Sequence, residues 1–292
     1  MKAYAYKKID AFTSGPSLGN PAACLYLSNE ETLSEDQMQS IAAQHKGFVS
    51  EVVICFESGG YYTLYYYSSE CEVNFCGHGT IACMHSLINQ SPHLLSLPTF
   101  TVQTHQKGAL TVYNRVPKED AVYISAPEPV FIGTALTKKD VAQALGLSED
   151  SLSPEYPLDV IDAGLKTLIV PIASLDDEIS VYPDEPALKA FCESAGIDII
   201  LIFCMSASGA GFHAHTRVFA PRFGYLEDPA TGSGNSAFGH YMLKNNLWGG
   251  SAIGIEQGGD NRVFNTVKLQ MNDGHLLFGG SATVRIDGQY YI

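Results

Sequence analysis

The side chains best suited to chemistry lie in two glycine-rich segments and one isolated carboxylate. In Asn74-Phe75-Cys76-Gly77-His78-Gly79-Thr80, glycines flank a histidine just ahead of a helical pattern. Backbone N–H groups at a helix start lack intrahelical partners and the dipole favours negative charge, so a substrate carboxylate can be held there. Glu227-Asp228-Pro229-Ala230-Thr231-Gly232-Ser233-Gly234-Asn235 offers the same arrangement with hydroxyls in place of the thiol and imidazole. Asp228 and Ser233 are its polar candidates, and Gly77, Gly79, Gly232 and Gly234 can bring backbone N–H groups close to a ligand. Either segment also reads as a tight connection, with Asp228 and Ser233 capping a helix after Gly234.

Glu51 opens an apolar, strand-like run. A desolvated carboxylate there, its pKa raised, can take a proton from carbon and return it; a solvated one does nothing. His78, with an ordinary pKa near 6.5, can donate to a ligand or relay a proton, or merely hold its turn together. Cys76 stands at the helix mouth, where a thiol gains reactivity, yet cysteine is also a small hydrophobe and packing is the favoured reading. Seven scattered cysteines without a C-x-x-C pair give no zinc pattern, so no metal site is expected and a reducing cytoplasm fits. His213 and His215 share one face of a strand without further sign of function. Arg217 and Arg222 either meet carboxylates or are solvated.

Elements that must carry these groups are legible in outline. Met1 to Asp10 reads as a first strand rather than a signal, and Thr32 to Lys46 as a helix with an apolar stripe at Leu33, Met38, Ile41 and Ala42. Strands are expected at Glu51 to Phe56, Tyr61 to Tyr67, Phe100 to Gln103, Ala109 to Tyr113 and Ala121 to Ile124, with a buried helix at Gly79 to Ile88. Beyond Pro127 the order recurs: a strand-like Leu158 to Pro171 around Gly164, a helix at Glu185 to Ala195, and an apolar run at Ile197 to Cys204. Setting Glu72 to Leu87 against Glu227 to Met242 matches Gly77 with Gly232, Gly79 with Gly234, Ala82 with Ala237 and His85 with His240, the pattern of an internal duplication.

A chain of 292 residues suits two domains or one large one. Its formal net charge of -14 repels phosphate backbones and anionic lipid, so neither nucleic acid nor a membrane is an expected partner. Hydrophobic residues make up 46% and charged residues 16%, and no run of about twenty apolar residues is present, so a soluble globular protein is expected.

Phe75-Cys76-Gly77-His78-Gly79-Thr80 and Glu227 to Ser233 resemble the two signature segments of the phenazine-biosynthesis isomerase (PhzF-like) family, in order and spacing. Ile9-Asp10-Ala11-Phe12-Thr13, Gly19-Asn20-Pro21 and Ser50-Glu51 extend the likeness to essentially the whole chain. It implies an α+β diaminopimelate-epimerase-like fold of two pseudo-symmetric halves, each a curled sheet around a central helix, with the site in the cleft between them. The halves are expected at 1–127 and 128–292, with crossing of the termini allowed. The resemblance further implies a homodimer, no cofactor and no metal. It gives Glu51, His78 and Asp228 catalytic roles and assigns Asn20, Gly77, Gly79, Gly232, Ser233 and Gly234 to binding a small carboxylic acid. One departure is Val52-Val53, where the family usually places threonine after the glutamate.

The expected activity is therefore a single-base proton shift on a small acid such as a dihydro-hydroxyanthranilate or an amino or hydroxy acid. Related epimerases and racemases of this fold use two thiols, and Thr231 stands where the second would be; an alcohol is too weakly acidic to replace it. An epimerase and a non-catalytic small-acid binder are the alternatives.

Overall fold

The computed structural model describes residues 2–28, 31–259 and 262–292. Chain contacts divide it into two units, one of residues 1–125 with 279–292 and one of 126–278.

The first unit begins with β1 (Ala3–Ala11), β2 (Asn20–Leu27), α1 (Glu35–Gln44), β3 (Glu51–Ser58) and β4 (Tyr61–Ser68). It continues with α2 (Gly77–Gln90), α3 (Pro92–Ser96), β5 (Thr99–Thr104), β6 (Gly108–Asn114), α4 (Val116–Glu119) and β7 (Val122–Ser125). Met1, included in the sequence reading of the first strand, lies outside the described residues. The carboxy-terminal strand, Ala282–Tyr291, pairs antiparallel with β1 along its length. From that edge the ladder runs β1, β2, β3, β4, β5, β6, β7, with β2–β3 and β4–β5 parallel and the rest antiparallel. The parallel pairs are those that need a crossover, supplied by α1 and by α2 with α3.

Helix α1 is sealed by a capping box: Ser34 accepts from the Gln37 N–H and the Gln37 side chain from the Ser34 N–H. Its apolar stripe, Met38, Ile41 and Ala42, packs onto Ala23, Leu25, Val52 and Ile54. Helix α2 differs in having nine buried residues that leave no polar face. It touches β1, β2, β3, β7 and the carboxy-terminal strand, both ends of the ladder, so the sheet curls around it.

The second unit comprises β8 (Val130–Phe131), α5 (Lys138–Leu145), β9 (Asp159–Asp162), β10 (Lys166–Pro171), α6 (Leu175–Ser180), α7 (Glu185–Ala195) and β11 (Ile199–Cys204). Then follow β12 (Phe212–Phe219), β13 (Glu227–Asp228), α8 (Gly232–Lys244), β14 (Ile253–Gln257), β15 (Asn265–Asn272) and β16 (His275–Gly280), whose last two residues count with the first unit; the carboxy-terminal strand of the first unit is β17. Here β10–β11 and β12–β14 are parallel, while β9–β10, β11–β12 and β14–β15 are antiparallel. The stretch read as one strand-like run around Gly164 is thus a hairpin, with Gly164 at φ 108°, a conformation L side chains avoid. Helix α8 touches β9, β10, β11 and β15. Each unit therefore has an antiparallel pair, a parallel pair, an antiparallel pair and a second parallel pair bridged by a buried helix.

Candidate active site

In the first unit three strand and helix ends converge. Glu51 opens β3 and is in register with Ala22 of β2 and Ser68 of β4. Cys76 is the N-cap of α2, its sulfur accepting from the Gly79 N–H at 3.3 Å. His78 then falls in the first turn, with its Nε2 3.3 Å from Glu51 Oε2 and its Nδ1 3.6 Å from Cys76 Sγ. The imidazole lies between the thiol and the carboxylate. Burial pushes His78 down to about 4, the Pro21 carbonyl it bonds to acting the other way. It is a neutral ring at neutral pH, able to donate at one nitrogen and accept at the other.

Asn20, the first residue of β2, is buried and precedes Pro21, whose carbonyl His78 bonds to. Gly19 before it sits at φ 66°, where a Cβ would lie 2.5 Å from the Ala11 carbonyl oxygen. Thr80 fixes the α2 mouth from behind, its hydroxyl donating to the Cys76 carbonyl and bonding the buried Tyr66 hydroxyl, each at 2.7 Å. Gly79 has no room for a side chain, because a Cβ would meet Val53 Cγ2 at 2.7 Å. Gly77 is the first helical residue.

The second mouth, in the other unit, is built by a different network. Thr231 is the N-cap of α8 but caps with no side-chain bond; its hydroxyl donates instead to Asp228 Oδ2 at 2.7 Å. Buried Gln257 of β14 accepts from the Thr231 N–H at 2.9 Å and donates to the Asp228 carbonyl at 2.8 Å. Asn235 donates to Gln257 Oε1 at 2.7 Å. The helix begins at Gly232, not after Gly234, so Ser233 lies inside its first turn and neither it nor Asp228 is the capping residue. Gly232 packs so tightly that a Cβ would meet the Phe278 ring at 2.3 Å.

Gln257 and Asn235 gave no sequence signal of their own. Of the two alternatives for Arg217, contact with a carboxylate holds and solvation does not: it is buried in β12, paired with Glu227 at 2.8 Å and donating to the Glu178, Ile179 and Val181 carbonyls. Arg222 is paired with Asp198 at 2.7 Å. His213 Nε2 donates to the Leu247 carbonyl at 3.1 Å, and His215 is fully buried beside Glu178 at 3.2 Å.

A family profile described as phenazine biosynthesis-like protein (PhzC-PhzF) matches residues 9–289. An uncharacterized isomerase, YfhB, of Bacillus subtilis is 28% identical over 291 residues, covering 99% of this chain and 96% of that one. The trans-2,3-dihydro-3-hydroxyanthranilate isomerase of Pseudomonas fluorescens is 29% identical over 230 residues, 78% of this chain and 76% of its own. Among solved structures, the Bacillus anthracis phenazine biosynthesis protein of the PhzF family superposes with a TM-score of 0.85 at 25% identity, covering 100% of both chains. The fold is accordingly the α+β, diaminopimelate-epimerase-like one. The chain belongs to the PhzC-PhzF family of phenazine biosynthesis-like proteins and is an isomerase of that family.

Proposed function

We propose that the protein catalyses a cofactor-independent 1,3-type proton shift on a small carboxylic acid, with Glu51 as the single shuttle base. The observation that carries this is Glu51 Oε2 at 3.3 Å from the Nε2 of a neutral, buried His78 at the mouth of α2. In the proposed step the Glu51 carboxylate removes a proton from one carbon, the double bond migrates, and the Glu51 carboxyl group, its proton exchanging with water, delivers a proton to the far carbon; nothing is oxidised or reduced. His78, uncharged, hydrogen-bonds the substrate or carries the proton between partners, which a ring held cationic could not do as an acceptor. Backbone N–H groups of Gly77 and Gly79 suit the substrate carboxylate, and Asn20 is assigned to binding with them. Asp228, acting as a further acid–base group, and Gly232, Ser233 and Gly234 are assigned to the reaction on the same reading, supported by a second helix mouth whose aspartate is oriented by Thr231.

The relative that isomerises trans-2,3-dihydro-3-hydroxyanthranilate makes a dihydro-hydroxyanthranilate-like acid the first substrate class to try, followed by small amino and hydroxy acids. Seven cysteines outside any disulfide fit a reducing cytoplasm, no helix among the described residues is long and apolar enough to cross a membrane, and family likeness supports a homodimer. The thiol of Cys76 at 3.6 Å from an imidazole favours one further reading, an amino-acid epimerase using that thiol.

The test is incubation in heavy water with a panel of such acids, following carbon-bound deuterium by NMR. Deuterium entering a 1,3-related carbon, lost in Glu51→Gln, is expected. Exchange confined to an amino-acid α position and lost in Cys76→Ser points to the epimerase. Ligand binding retained by Glu51→Gln with no exchange in either form would mean a binding protein.

A further inference from the structure

We propose that Glu51, Cys76 and His78 form a divalent-cation site of the zinc type, one that captures a soft or borderline ion at the mouth of α2. No zinc-ligand spacing relates these donors along the chain. The fold brings the donor atoms within 4.8 Å of one another.

Two of their three separations match edges of a coordination tetrahedron. With Zn–S about 2.3 Å and Zn–N and Zn–O about 2.0–2.2 Å, tetrahedral geometry sets S···N at about 3.6 Å and N···O at about 3.4 Å. The Cys76 Sγ lies 3.8 Å from His78 Nε2, and that same nitrogen lies 3.3 Å from Glu51 Oε2. The third separation, Cys76 Sγ to the Glu51 carboxylate, lies within 4.8 Å against about 3.6 Å in a tetrahedron, a gap that rotation of the side chains must close. The donors are presented on regular elements, Glu51 at the start of β3 and the other two at the start of α2.

The donor types decide the ion. A thiolate with an imidazole and one carboxylate suits zinc, cobalt or cadmium and disfavours magnesium and calcium, which take oxygen ligands. Three protein ligands leave a fourth position open, as in zinc sites that accept a water or a substrate oxygen. Binding releases one proton from the Cys76 thiol to solvent and leaves all oxidation states unchanged. Resting on the reading of Glu51 as the shuttle base, the consequence is inhibition: a carboxylate ligated to the ion is no longer a base.

Titration of the full-length protein with cobalt(II), followed by absorption, tests the site directly. One equivalent is expected to raise a thiolate-to-cobalt charge-transfer band together with the visible bands of a four-coordinate ion. Zinc should abolish them, and magnesium in excess should not. Cys76→Ser should lose the charge-transfer band, and His78→Asn, a second variant that keeps the thiol, should weaken binding by more than roughly tenfold. Absence of the band in the wild type, or its persistence in Cys76→Ser, would overturn the proposal. Zinc that binds stoichiometrically yet leaves deuterium exchange untouched would count against Glu51 as the base while the site stands.

Discussion

At the scale of single residues, the buried pair Glu178 and His215 gives the protein opposing pH responses. His215 is pushed down to about 3, first by burial and then by Arg217, while burial raises Glu178 well above the usual carboxylate range. A histidine whose pKa is depressed on folding stabilises fully above its unfolded value near 6.5 and loses that contribution as pH falls toward 3, on the order of 4–5 kcal/mol over the interval. Urea unfolding of His215→Gln should therefore show a flatter decline between pH 6 and pH 4 than the wild type; parallel declines would refute the assignment. The raised Glu178 has the reverse sign, its contribution present below its unfolded pKa near 4.5 and lost as pH rises. Glu178→Gln is expected to gain stability over the wild type at pH 8 and to lose most of that advantage by pH 4, as measured by the midpoint of the same transition. The sequence made Glu51 and His78 visible because a Gly-His-Gly turn beside a helix is local. It could not show that Cys76, read as packing, touches His78, because that depends on how the two side chains turn at the helix mouth, nor that Gln257 orders the second mouth, because that contact joins residues distant in the chain.

At the scale of elements, two glycines carry a steric requirement that reads as flexibility in the sequence. Gly79 and Gly232 have ordinary helical backbones; what they need is space, against Val53 in one case and the Phe278 ring in the other. Alanine at either position overpacks a filled interior, which costs about 1–3 kcal/mol. Both Gly79→Ala and Gly232→Ala should lower the thermal midpoint by several degrees. Gly79→Ala should in addition depress deuterium exchange, because the same Cβ would press on Cys76 Sγ at 2.9 Å, next to His78. Equal activity in Gly79→Ala and wild type would separate the helix mouth from the chemistry. Most elements were legible because their signals are local: the stripe of α1, the aromatic run of β4, the apolar run of β11. The early start of α8 was not, since Thr231 spends its hydroxyl on Asp228 instead of on the helix, leaving the helix without the side-chain cap from which a boundary is read.

At the scale of the molecule, the duplication hinted at by Gly77 with Gly232 and His85 with His240 corresponds to two units of like strand order, each with a buried helix opening at the aligned glycine. What the repeat could not reveal is that the first unit recruits the end of the chain, since strand pairing between residues so far apart leaves no local mark. Its terminal strand pairs with β1 through nine residue pairs, and Arg285 adds bonds to Asp10 and to the Ser17 carbonyl, each at 2.8 Å. Without β17, β1 becomes an edge strand, and buried Tyr4 and Tyr6 on one face and Ile9 on the other lose the support of the adjoining ladder. Deleting residues 282–292 should accelerate amide hydrogen exchange in β1 and β2 by orders of magnitude, while β10 and β11, which belong to the other unit, keep their protection. Uniform loss of protection would mean that the two units unfold as one cooperative body, and unchanged protection in β1 would mean that β2 and α2 alone suffice to hold it.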